Sequence, residues 1–102
     1  MRILFIGNSH TYYNELPRIV RELLVRAGQQ AEVVMQTEGG KNLLYHCRHH
    51  DVLFNIRHGN YDFIVLQDCA TNFSETNFAK ALDVLYHDAL SQTKASCILY
   101  MP

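Results

Sequence analysis

The sequence predicts an α/β fold, in which a parallel β-sheet carries helices on both of its faces. Short apolar runs that favour strands alternate with longer segments of helical periodicity, in the order βαβαβαβ. Right-handed crossovers make successive strands of this kind parallel members of one sheet. We therefore expect a three-layer arrangement, with one parallel sheet between two layers of helices.

Four apolar runs predict the strands. They comprise residues 2–6, 31–35, 61–67 and 97–101. Within the third run, residues 63–66 are all apolar, which is typical of a central strand buried on both faces. Gly7 follows the first run and allows the chain to turn sharply there.

The first predicted helix has the clearest periodicity. Asn14 is expected to cap it, and Pro17 lies in its first turn, where amide hydrogens have no intrahelical partner. Gly28 is expected to end it. Its apolar residues recur at three- and four-residue steps and are expected to face the core: Leu16, Ile19, Val20, Leu23, Leu24 and Ala27.

Two further helices complete the alternation. Residues 42–57 predict a helix that is interrupted near Asp51. Ser74 is expected to cap the last helix, which ends near Ser91. The inward residues of that helix are expected to be Phe78, Ala81, Leu82, Leu85 and Ala89.

The composition is that of one globular domain. The chain has 102 residues, and 9 basic and 10 acidic side chains leave a net charge of -1, which gives no electrostatic basis for binding nucleic acid or a membrane surface. No apolar run approaches the ~20 residues that span a bilayer, and the first residues do not resemble a signal peptide. Together with 3 scattered cysteines, these features favour a cytoplasmic protein with reduced thiols.

Ligands of parallel α/β sheets bind outside the carboxyl ends of the strands, which here are followed by residues 7–13, 36–41 and 67–73. The first loop supplies Ser9, the second Gly39 and Gly40, and the third Gln67. A hydroxyl, a glycine amide and a side-chain amide on one rim are the groups that acyl transfer requires. The alternative is that the polar residues of these loops only form turn hydrogen bonds.

Three segments resemble SGNH hydrolases, the GDSL esterase and lipase superfamily. Residues 3–17, with Gly-Asn-Ser at 7–9, are similar to the first block, closest to bacterial members with Asn in place of Asp. Residues 39–43 are similar to the glycine block, and residues 61–68 to the strand before the third block. The resemblance implies a three-layer, flavodoxin-like parallel sheet with the strand order 2-1-3-4. It also implies removal of acyl groups, commonly acetyl, from sugars, lipids or small esters, with no cofactor.

The resemblance also implies roles for individual residues. Ser9 becomes the nucleophile, and Asn8, which precedes it in the same block, is expected to belong to the oxyanion- and substrate-binding residues. The oxyanion donors become the Ser9 amide, the Gly40 amide with Gly39 as the alternative, and a side-chain amide. The family places Asn in a Gly-x-Asn-Asp block where this chain has Gln67-Asp68-Cys69-Ala70, so Gln67 is the expected third donor and Asn72 the alternative.

The family's base lies in an Asp-x-x-His block, and these 102 residues contain no such motif. Asp83 and His87 lie on a helix half that is expected to run away from the rim, and His10, His49 and His50 are not expected to reach Ser9 as an oriented base. We therefore expect residues 1–102 to form one incomplete domain, without the fifth strand and the acid–base pair. Such a chain is expected to be a weak or inactive esterase.

The fourth strand is expected to be an exposed edge. Residues 97–101 are apolar and contain neither a charge nor an internal proline, and such an edge is a template for pairing with another chain. We therefore expect a homodimer or a higher self-association through this strand, with a small acylated molecule as the other partner.

Two other classes remain open. His46 and His50 lie four residues apart and suggest a zinc site, although no third ligand is evident and a solvated helix face is the simpler interpretation. A non-catalytic phosphate- or flavin-binding module is the other alternative, with a weak signal because its loop has one glycine. Cys69 is expected to be a small apolar filler.

Overall fold

A computed structural model describes all residues, 1–102, as a four-stranded parallel sheet in the order β2-β1-β3-β4. The strands are β1 Arg2–Gly7, β2 Glu32–Thr37, β3 Phe63–Gln67 and β4 Ser96–Tyr100. The flavodoxin-like α/β fold and strand order predicted from the sequence are thereby confirmed. The register pairs Ile6 of β1 with Gln36 of β2 and Leu66 of β3, so these three strands end at the same edge.

Five helices connect and flank the strands. They are α1 Ser9–Tyr12, α2 Leu16–Arg26, α3 Leu43–His46, α4 His50–His58 and α5 Glu75–Asp88, with a 3-10 turn at Leu90–Gln92. The predicted second helix is therefore two helices, and its interruption lies just before Asp51. Ser74 caps α5 as predicted, because its hydroxyl accepts a hydrogen bond from the Asn77 amide at 3.2 Å.

The start of α2 differs from the prediction. Glu15, not Asn14, is the N-cap residue, and it has a left-handed backbone with φ 56° and no capping side-chain hydrogen bond. The preceding short helix α1 explains the difference, because it carries the chain to Tyr12 and leaves only a tight connection before Leu16. Pro17 lies in the first turn of α2, as expected.

Each face of the sheet has its own core. The larger core lies under α3, α4 and α5 and includes Leu4, Ile6, Ile64 and Leu66 from the strands. The predicted inward side of α5 is confirmed, since Ala81, Leu85 and Ala89 are buried while Phe78 and Leu82 are partly buried against this core.

The opposite face is covered by α2 alone. Leu16, Val20 and Leu24 of α2 pack there on Ile3, Phe5 and Val65. The prediction for the other three inward positions was wrong, because Ile19, Leu23 and Ala27 are exposed. A single helix packed on a sheet buries only the narrow stripe of residues that touches the strands.

Beside α2, the same face carries an apolar groove of about 490 Å³ that extends to Ile98 and Tyr100 of β4. No helix has the length and apolar character that a bilayer span requires. The three cysteines are free thiols, and Cys69 is half-buried.

Candidate active site

The loops after β1, β2 and β3 are joined at the carboxyl edge of the sheet. The Asn8 side-chain amide donates to the Lys41 carbonyl at 3.0 Å, which links the first loop to the second. The Leu43 amide donates to the Asp68 carboxylate at 3.0 Å, which links the second to the third. The common end of the three strands therefore becomes one continuous rim.

Asn8 and Gln67 form the centre of this rim. The Asn8 amide donates to Gln67 Oε1 at 2.9 Å, and Gln67 Nε2 donates to Asn8 Oδ1 at 2.8 Å. The Thr11 hydroxyl donates to the same Gln67 Oε1 at 2.7 Å. All three side chains are at most 1% exposed, so the network is buried and its polar atoms satisfy one another.

Gly7 is required by this network. A side-chain carbon at Gly7 would collide with Thr11 Oγ1 and Gln67 Oε1. The absence of a Cβ thus lets Gln67 approach the backbone of the first loop.

His46 holds the same turn from the other side. Its Nε2–H donates to the Gly7 carbonyl at 2.8 Å, since a carbonyl oxygen can only accept. The ring is 3% exposed, and burial lowers the His46 pKa below its ordinary 6.5. His46 is therefore a neutral hydrogen-bond donor at pH 7, which fixes the chain just before Asn8 and Ser9.

The Gly39–Gly40 pair forms a turn against the first loop. The Lys41 amide donates to the Glu38 carbonyl at 3.4 Å, and Gly40 has φ +74°, which suits the third position of a type II turn. A Cβ on Gly39 would lie 2.9 Å from the Tyr12 hydroxyl, so this turn and α1 are in contact. Both glycines are exposed, and neither of their amides donates a backbone hydrogen bond in this turn.

Ser9 is the first residue of α1. Its side chain is half-buried, and the side-chain hydrogen bonds of this loop use Asn8 and Thr11 but not the Ser9 hydroxyl. As the first residue of a helix, Ser9 has an amide without an intrahelical partner. The hydroxyl and the amide of Ser9 are both free to meet a ligand.

The two side-chain amides proposed from the sequence lie in different surroundings. Gln67 is fully buried, and its amide nitrogen donates to Asn8 Oδ1 and to the Asp68 carbonyl. In this geometry no amide hydrogen of Gln67 is left for an oxyanion. Asn72 is exposed in the loop before α5.

None of the histidine hydrogen bonds involves Ser9. His87 pairs with Asp83 at 3.2 Å on the exposed side of α5. His49 Nδ1 donates to the Tyr45 carbonyl at 2.8 Å, while His10 and His50 are exposed. None of these histidines is therefore held by a hydrogen bond in a position to act as the base that Ser9 needs for nucleophilic attack.

The zinc alternative receives no geometric support. The break between α3 and α4 separates His46 and His50, so they do not lie on successive turns of one helix. His46 is buried against Gly7 whereas His50 is exposed, and no group of three His, Cys, Asp or Glu side chains is arranged to hold a metal ion.

Sequence reasoning missed the positioning roles of Thr11, His46 and Asp68. Each is a buried polar residue. The available signal was spacing, because Thr11 follows Gly7 by four residues and Asp68 directly follows Gln67. No comparable signal points to His46, since its partner is a backbone carbonyl 39 residues away.

In comparisons with known proteins, no family model, no curated protein and no solved structure matches this chain.

Proposed function

We propose that this chain supplies the nucleophile and the oxyanion-binding loops of a serine ester hydrolase that resembles the SGNH family, with Ser9 as the nucleophile. The reaction is removal of a small acyl group, such as acetyl, from a sugar or a small ester. The observation that carries the proposal is the hydrogen bond from Asn8 to the Lys41 carbonyl, which holds the Ser9 loop against the Gly39–Gly40 turn.

In this proposal the oxyanion is held by backbone amides. The Ser9 amide and the Gly40 amide are the donors, because neither is needed to complete a helix or a strand. Gln67 is a positioning residue, since both of its amide hydrogens are used to hold Asn8 and its own loop. His46 positions the same loop through the Gly7 carbonyl.

The chain by itself is expected to hydrolyse esters slowly. Serine hydrolases that lose a member of their triad retain only the catalysis that comes from binding and the oxyanion hole, roughly 10³–10⁴-fold over water. Acylation of Ser9 is therefore a sharper measurement than turnover, because a single covalent event reports the nucleophile.

The test treats the chain with a fluorophosphonate and with p-nitrophenyl acetate and locates the adduct by peptide mass spectrometry. We expect phosphonyl and acetyl groups on the peptide that contains Ser9. Ser9→Ala is expected to abolish this adduct, whereas the matched control Ser91→Ala, in the exposed 3-10 turn, leaves it unchanged. Equal labelling of the Ser9→Ala variant, or labelling spread evenly over the exposed serines, would reject the proposal.

A further inference from the structure

A second cleft adjoins the Gly39–Gly40 turn. Its volume is about 370 Å³, which falls in the range of roughly 300–1,000 Å³ typical of small-molecule sites. Its principal lining residues are Gly40, Lys41, Asn42, Tyr45, Arg48 and His49.

The cleft is cationic although the whole chain is not. Lys41 and Arg48 line it, and none of its lining residues is acidic, whereas the net charge of the chain is -1. Neither cation is neutralised within the chain, because the ion pairs involve only Arg2, Arg18 and His87 as cations. Two cationic side chains without carboxylate partners therefore line the same cleft.

Tyr45 contacts both a neighbouring acid, Glu38, and one of these cations, Lys41. Its hydroxyl donates to the Glu38 carboxylate, which lines a different pocket. On the cleft side, the Lys41 ammonium lies 5.2 Å from the centre of the Tyr45 ring. The His49 ring packs on the same ring at 4.2 Å between centroids, which makes this wall of the cleft aromatic.

From this arrangement we infer that the cleft binds an anionic group, a carboxylate or a phosphate, of the ester that reacts at Ser9. The inference rests on the proposed function, in which the Gly40 amide is an oxyanion donor. Because Gly40 also lines the cleft, an ester held by that amide lies next to the cleft. The substrate class is thereby narrowed to acyl esters that carry a negative charge close to the scissile bond. The aromatic wall favours a charge attached to a flat or apolar group.

Binding is tested without chemistry in the Ser9→Ala variant. Benzoate, phenyl phosphate and neutral benzamide are titrated while amide shifts are followed by ¹H–¹⁵N NMR. We expect the two anions, and not benzamide, to shift the amides of Gly40, Lys41 and Arg48. Tighter binding of phenyl phosphate identifies a phosphate as the preferred group, and tighter binding of benzoate identifies a carboxylate.

Variants that remove a positive charge inside or outside the cleft provide the matched comparison of anion binding. Lys41→Gln and Arg48→Gln are each expected to weaken anion binding about two- to fivefold, the scale of one partly exposed charge pair. Lys80→Gln and Arg21→Gln remove exposed cations outside the cleft and are expected to leave binding unchanged. Unchanged affinity in the Lys41→Gln/Arg48→Gln double variant overturns the inference.

A reaction assay separates this inference from the proposed function. The chain with Ser9 intact is acylated with 4-acetoxybenzoate and with neutral 4-acetoxybenzamide. Faster acylation by the anionic ester, lost in the double variant, supports both ideas. Equal rates with both esters at Ser9 leave the hydrolase proposal standing and overturn the anionic cleft. Anion binding without any acylation of Ser9 overturns the hydrolase proposal and the assignment of the anion to an ester, and leaves only the anion-binding cleft.

Discussion

Asn8 and Gln67 hold each other by reciprocal hydrogen bonds of 2.9 and 2.8 Å across 59 residues of sequence. One bond uses the Asn8 backbone amide, and the other uses its side-chain oxygen. Because both residues are buried, the position of the Ser9 loop depends on Gln67 and on the β1–β3 pairing that presents it. The rim is therefore an extension of the sheet and not a set of independent loops.

Gln67→Leu is expected to lower the free energy of unfolding by about 2–4 kcal/mol. The substitution leaves the Asn8 amide and the Thr11 hydroxyl buried without an acceptor, and each such group costs about 1–3 kcal/mol. Urea denaturation followed by circular dichroism measures the loss. The control Asn72→Ala, at an exposed position, is expected to change stability by less than about 0.5 kcal/mol. Equal losses in the two variants would contradict the buried network.

Gly7→Ala is expected to destabilise the fold by about 1–3 kcal/mol, the usual cost of forcing extra volume into a packed site. The added carbon meets Thr11 Oγ1 and Gln67 Oε1, neither of which can move without breaking the network. Gly39→Ala is the matched control, because its new carbon meets only the end of the Tyr12 side chain, which can rotate away. Thermal unfolding measures the stability of both variants. A larger loss of stability in Gly39→Ala than in Gly7→Ala would argue against the close approach at Gly7.

His46 is expected to make stability depend on pH. Burial lowers its pKa in the folded state below 6.5, so below that pH the unfolded chain binds more protons at this site than the folded chain does. The free energy of unfolding therefore falls as the pH drops below 6.5 and is fully regained above it.

His46→Gln tests this dependence, because glutamine keeps a donor for the Gly7 carbonyl but does not titrate. Urea denaturation at a series of pH values is expected to show a smaller decrease on acidification for His46→Gln than for the unaltered chain. The control His50→Gln, at an exposed position, is expected to retain the original decrease. The same slope in all three proteins would show that His46 is not responsible.

We propose, finally, that the chain self-associates through β4. This strand pairs only with β3, so its other edge is open, and Ser96–Tyr100 contains no charged residue. A second copy related by a two-fold axis can pair antiparallel with the same edge, and such a contact closes as a dimer.

Analytical ultracentrifugation over a range of concentrations measures this association. Leu99→Lys is expected to give a monomer, since a charge on an edge strand opposes pairing. Leu23→Lys is the control, because Leu23 is also an exposed leucine, 61% accessible against 46% for Leu99, but lies on α2. A monomer at every concentration in the unaltered chain excludes the dimer.

The fold could be predicted from the sequence because its signals are local. The fully apolar run of β3 and the three- and four-residue steps in α5 each lie within one element, and the alternation of strands with helices makes the strands parallel. Within α2 the same periodicity predicted more buried positions than the structure has. Whether Ile19 and Leu23 are covered depends on how many helices share that face of the sheet, which no residue of α2 specifies.

The sequence by itself thus determined that Ser9, the Gly39–Gly40 pair and Gln67 would follow strand ends at one edge of the sheet. Only the tertiary structure decided what each group does there. Gln67 uses its amide hydrogens within the chain, on the distant Asn8 and on the carbonyl of the adjacent Asp68. His46 becomes a buried neutral donor because its partner, the Gly7 carbonyl, comes from a distant segment. The pairing of polar atoms is set by strand register and loop contact, and these are properties of the folded chain.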